Sequence, residues 1–148
     1  MSKYIHKAHN VSVLIYHFVC PAKYRRAVFN EEVDKTIKDI CLEIGKRYEI
    51  SFLEIGIDKN HVHFLIQSVP KYSTTKIIRT IKSIIAKKVF EKHPEVKEIL
   101  WGGEFWSDGY FVNTVSKFGS EATITKYVQN QGIEKEYKKL HSQQLSLF

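Results

Sequence analysis

The chain has only two cysteines, Cys20 and Cys41, too far apart to form the CxxC pattern of a zinc ribbon or a dithiol redox centre. Both stand in apolar surroundings, so they read as small core residues, and the expected compartment is the reducing cytoplasm. No stretch approaches the ~20 apolar residues of a membrane-spanning helix. Met1-Ser2-Lys3-Tyr4-Ile5-His6 opens no secretory leader. Internal repeats, low-complexity tracts and long linkers are missing too, so residues 1–148 are expected to form one domain, with 141–148 a polar tail ending in apolar residues. Acidic residues are few, 16 Asp and Glu against 23 Lys and Arg, for a net charge of +7. That imbalance suits a polyanionic partner such as nucleic acid, without requiring one. Hydrophobic residues make up 43% of the chain, enough for a core that needs no staples.

The apolar run Asn10–Val19, ending at Cys20-Pro21, reads as a central strand. Lys23-Tyr24-Arg25-Arg26 follows, three cations around one ring in a loop, suited to phosphates and a base or simply to solvent. Asn30 with Glu31 and Glu32 starts a helix, and Val33, Ile37, Ile40, Cys41 and Ile44 carry its buried face to about Tyr48. A second strand, Ile50–Ile57, turns at Asp58-Lys59-Asn60 straight into a third, which makes an antiparallel hairpin. A second helix begins near Ser73 or Thr74. Ile77, Ile78, Ile81, Ile84 and Ile85 form its apolar stripe, and Lys76, Arg79, Ser83 and Lys87 fall opposite, as a solvated face or a phosphate-binding one. After a short turn from Pro94, the aromatic segment Trp101–Val115 enters a fourth strand, its rings serving as core or as stacking platforms. A third helix is expected from Ser120. The order β, α, β, β, α, β, α predicts an α+β ferredoxin-like sandwich with an added C-terminal helix.

The third strand, Asn60-His61-Val62-His63-Phe64-Leu65-Ile66, carries the chemistry. Strand residues alternate faces, so His61 and His63 point the same way, as a metal-binding pair or as two polar residues on a half-exposed strand. Tyr127 and Gln131, four residues apart, share one face of the third helix. Gln131 can offer an amide oxygen as a third ligand and Tyr127 a phenolic oxygen beside the same ion. Such a set could polarise a phosphodiester while a phenolate attacks phosphorus. Each residue also has an ordinary structural reading, Tyr127 as a half-buried helix aromatic and Gln131 as a solvated side chain.

Five ordered segments decide between these readings: His17; Lys23–Phe29; Asp58-Lys59-Asn60-His61-Val62-His63; Leu100–Phe111; and Tyr127-Val128-Gln129-Asn130-Gln131. Together they resemble the small single-tyrosine HUH transposases of bacterial and archaeal insertion sequences, which act on single-stranded DNA. The resemblance implies that His61, His63 and Gln131 hold a divalent metal and that Tyr127 is the nucleophile. It also implies a homodimer with composite active sites, recognition of hairpins at the element's ends, and no nucleotide cofactor. Gly119 is the expected hinge, and Lys23, Tyr24, Arg25, Arg26, Lys76, Arg79 and Lys87 are the expected DNA contacts. Magnesium is the expected ion, and manganese is expected to substitute because imidazoles bind it more tightly. Phenol has a reference pKa of about 10, so a nearby cation would assist formation of the nucleophile. The rivals are a water-using metal-dependent nuclease, whose HxHxDH pattern is absent because Phe64, Leu65 and Ile66 follow His63, and a non-catalytic ferredoxin-like nucleic-acid-binding protein.

Overall fold

A computed structural model describes residues 4–23, 28–100 and 103–115. The helix expected from Ser120, with Tyr127 and Gln131, lies outside the described residues, as do Gly119, Tyr24, Arg25, Arg26 and the tail 141–148. Two short strands, β1 (Ile5–His6) and β2 (Val11–Ser12), pair as an antiparallel ribbon. Strand β3 runs from Leu14 to Pro21. The sequence reading of one strand over 10–19 is therefore corrected at Val13. Val11 is paired with His6, whereas Leu14 is paired with Ser68, so the chain leaves one sheet and enters another. β3 also continues through Pro21, which lacks only a donor; its carbonyl accepts the Ser107 N–H at 3.0 Å.

Helix α1 (Glu31–Arg47) starts where the Asn30 side chain accepts the Val33 N–H, with Glu31, Glu32 and Asp34 over its positive end and Lys46 and Arg47 at the other. Strands β4 (Ser51–Ile57) and β5 (His61–Ser68) form the expected hairpin. Helix α2 (Thr74–Lys92) is capped by Ser73, and α3 (Pro94–Ile99) adds a short turn-like helix before β6 (Phe111–Thr114). Among the described residues no helix is long and apolar enough to cross a membrane.

The four long strands form one sheet in the order β4-β5-β3-β6, every neighbouring pair antiparallel. This is the ferredoxin-like arrangement, with the first and third strands of the motif, β3 and β5, side by side in the centre. Strand alternation then divides the side chains. Phe18 and Cys20 of β3 and Val62, Phe64 and Ile66 of β5 share a core with Val33, Ile37 and Ile44 of α1 and Ile78, Ile81 and Ile85 of α2. Intervening residues face the other side, where Ile15 and Leu65 pack with Val13, Leu53 and Val115. A bulge between Phe52 and Glu54 shifts the pairing of β4, so Gly56 comes to lie across from His63.

Of the described rings in the aromatic segment, two are core, Phe111 is half-buried and Tyr110 is exposed. Phe105 and Trp106 are buried, and the Trp106 indole donates to the Lys82 carbonyl at 3.0 Å. Lys82 in turn donates to the carbonyls of Ser107 and Gly109 at 2.9 and 3.3 Å, tying α2 to the entry of β6. Thr36 of α1 meets the buried His93 at 2.7 Å, which joins α1 to the α2–α3 junction.

Ile81→Ala would leave a cavity where α2 meets the sheet and is expected to lower unfolding free energy by about 2–5 kcal/mol, read by urea titration. Burial pushes the thiols of both Cys20 and Cys41 up to about 12. The thiolate is the reactive form, so at pH 8 both cysteines should resist alkylation in the folded protein and label rapidly in urea.

Candidate active site

His61 and His63 occur two residues apart on β5, a strand bonded on both sides. Opposite them on β3 stand Pro21 and Val19, neither of which carries a polar side chain. The two imidazole rings lie 4.8 Å apart at 71°. His63 is fully buried and His61 nearly so. Buried imidazoles need partners for their ring nitrogens. Asn60 supplies one: its side-chain oxygen lies 2.6 Å from Nδ1 of His61. A carbonyl oxygen only accepts, so Nδ1 carries the proton and the lone pair of the neutral ring is on Nε2. The Asp58 carboxylate is 3.7 Å from that nitrogen and is itself held by the Lys59 N–H at 2.7 Å.

His17, fully buried, is the residue that the sequence reading quoted for the resemblance but left out of the site. Its ring lies nearly parallel to that of His63, 5.5 Å between centroids and 8° between planes. His17 Nε2 and His63 Nδ1 approach to 3.3 Å. His17 sits across from Leu65, two pairs away from Val19 and His63 with Phe18 and Phe64 between, so an imidazole from the neighbouring strand reaches along the sheet to the pair. The parity of β3 against β5 decides this, and no spacing within the sequence reports it.

The donor chemistry suits a divalent cation. Two imidazoles on one face offer nitrogen, and the carboxylate of Asp58 adds negative charge beside them. Among the described residues no three His, Cys, Asp or Glu side chains converge to cage an ion.

Other residues expected at the site fall into two groups. Ala22 N–H donates to the Asn60 carbonyl at 2.8 Å, and Phe29 N–H to that of Lys59 at 3.4 Å. Ala22 and Phe29 are therefore fastened to the turn that enters the histidine strand. Lys23 pairs with Glu104 at 2.6 Å, which holds the Glu104 carboxyl below the usual carboxylate range through the hydrogen bond and charge of Lys23. Lys76, Arg79 and Lys87 are exposed on α2, which packs on the opposite face of the sheet from the histidines. The structure does not bring them to the imidazole pair.

The fold and the histidine face together define a ferredoxin-like α+β domain with an open imidazole pair on a central strand. Residues 10–131 match the family model described as "Transposase IS200 like", and the chain belongs to that family of transposases of insertion sequences. It is 32% identical over 118 residues to the ISDra2 transposase TnpA of Deinococcus radiodurans, covering 80% of this chain and 84% of that protein. It is 29% identical over 116 residues to the transposase for insertion sequence element IS200 of Salmonella typhimurium, covering 78% and 75%. A solved structure from Deinococcus radiodurans, assigned as a transposase, superposes with a TM-score of 0.70 at 29% identity, over 86% of this chain and 97% of that one. A REP-associated tyrosine transposase bound to a REP hairpin shares the fold at a TM-score of 0.58 and 8% identity, over 91% and 74%. The protein is a DNA transposase.

The Asn60 contact fixes a proton position that can be read directly. In long-range ¹H–¹⁵N spectra of the neutral ring at pH 8, His61 should show the Nδ1–H tautomer, and Asn60→Ala should move its population toward Nε2–H.

Proposed function

We propose that the protein cuts and rejoins single-stranded DNA at insertion-sequence ends by transesterification through Tyr127. The observation that carries this reading is the buried imidazole pair on a doubly bonded central strand, with the His61 lone pair turned to Nε2 by Asn60. His61 and His63 supply two nitrogens, and Gln131 is the amide donor that completes the set. A bound magnesium or manganese ion would provide Lewis-acid polarisation of the scissile phosphodiester. Tyr127 Oη loses its proton and attacks phosphorus, the P–O3′ bond breaks, and the leaving oxygen takes up a proton as a 3′-hydroxyl. The product is a 5′-phosphotyrosine. One phosphodiester replaces another, so a second 3′-hydroxyl can reverse the step onto a new end with no nucleotide cofactor.

In this reading two protomers form composite sites, with Gly119 as the hinge before the tyrosine helix. Lys23, Tyr24, Arg25 and Arg26 contact DNA at the histidine end, because their flanks are tied to the Asp58–Asn60 turn. Lys76, Arg79 and Lys87 contact phosphates on the far side of the sheet, away from the cleavage point, where the stem of a hairpin end would extend.

The deciding experiment incubates a labelled oligonucleotide, carrying an end hairpin and cleavage site, with magnesium or manganese before a denaturing gel. A labelled band at protein mass is expected, lost with chelator and in Tyr127→Phe, while Tyr127→Phe binds the hairpin within a few fold of the parent. Cleavage without an adduct would favour a water-using nuclease, and binding without cleavage of a native end would favour a non-catalytic module. Replacing Lys76, Arg79 and Lys87 by Gln should weaken binding across sequences and flatten its logarithmic salt dependence by about 0.7–0.9 per lost phosphate contact, with the adduct still formed at saturating DNA.

A further inference from the structure

We propose that His17 is a positioning residue for the catalytic face: its Nε2 accepts the Nδ1–H of His63 and thereby turns the His63 lone pair to Nε2. The inference rests on the metal-binding reading above and deepens it. Three observations carry it. His17 Nε2 lies 3.3 Å from His63 Nδ1. The two rings are within 8° of parallel and both are fully buried, so their separation is not averaged by solvent. And β3 is paired on both sides at this point, with Leu65 of β5 and Asn113 of β6 opposite His17, which fixes the backbone that carries the ring.

The arrangement repeats on His63 what Asn60 does for His61. Each imidazole of the pair has its Nδ1 engaged by a neighbouring side chain, and each then offers Nε2 in the same sense. A neutral imidazole favours neither nitrogen strongly, and a hydrogen bond at one of them selects the tautomer, fixes the ring plane and raises the basicity of the other. With His17 absent, the Nδ1 side of His63 would lose this acceptor and the tautomer balance would move toward a proton on Nε2, the atom that must hold a lone pair for a ligand. Among the described residues no three His, Cys, Asp or Glu side chains, His17 included, converge on one ion position, which separates this role from that of a ligand.

The test uses His17→Phe, which keeps a ring of similar volume without an acceptor, and His17→Gln, whose amide oxygen comes close to the position of Nε2. Manganese affinity is measured by electron paramagnetic resonance on the DNA-free protein, and the His63 tautomer by long-range ¹H–¹⁵N spectra at pH 8 without metal. His17→Phe is expected to weaken manganese binding about 10–100-fold and to shift His63 toward Nε2–H. His17→Gln is expected to restore both to within a few fold. A purely structural role would lower urea stability in both variants alike and leave the tautomer unchanged, which would overturn the proposal. If His17→Phe fails to fold, the parent decides: a His63 ring found as Nε2–H in the parent also overturns it. A parent that binds no manganese, yet shows His63 as Nδ1–H with reversal in His17→Phe, would overturn the metal reading and leave the positioning contact standing.

Discussion

The pairing of β3 with β5 is the constraint on which the rest depends. It sets Val19 across from His63 and His17 across from Leu65, and because side chains alternate, it sends every second residue of both strands to the same side. A slip of one residue would carry His61 and His63 into the apolar layer beneath α1 and α2 and expose Phe64. Both strands are paired on two sides, so slippage would break ladders on both at once. The helices enforce the same register from the other face, since Phe18, Val62, Phe64 and Ile66 form one core with them.

Burial of three imidazoles on the second face is a cost that the fold offsets locally. A buried polar ring without a partner is destabilising by roughly 1–3 kcal/mol, and here the Asn60 oxygen and the His17–His63 contact engage ring nitrogens that would otherwise be desolvated. The same contacts hold the rings of His61 and His63 against their neighbours. Gly56 directly across from His63 adds no side chain beside the ring, and the bulge at Leu53 is what brings a glycine to that register.

Charge is distributed unevenly about this frame. Lys23 is drawn into an ion pair with Glu104 at the histidine end, whereas Lys76, Arg79 and Lys87 lie beyond the helix layer. A nucleic acid that met both regions would have to extend around the sheet rather than lie across one surface.

The local signals were legible in the residues themselves. Asn30, Ser73 and the isoleucine spacing of α2 announced both helices, because capping and amphipathic period are properties of neighbouring residues. The turn at Asp58-Lys59-Asn60 and the alternation of His61 and His63 announced the hairpin and a shared face for the same reason. The order of elements was enough for the ferredoxin-like class. The break at Val13 was not legible, since an apolar run does not say which partner strand each part will meet. Nor was the role of His17, forty-six residues from His63, or the placement of the α2 cations behind the sheet. Sequence alone determined the two long helices, the β4–β5 hairpin, the family the chain belongs to and which two histidines share a strand face. Tertiary structure alone decided which third imidazole joins them and which cations stay away, because register and layer order arise from pairing between distant segments.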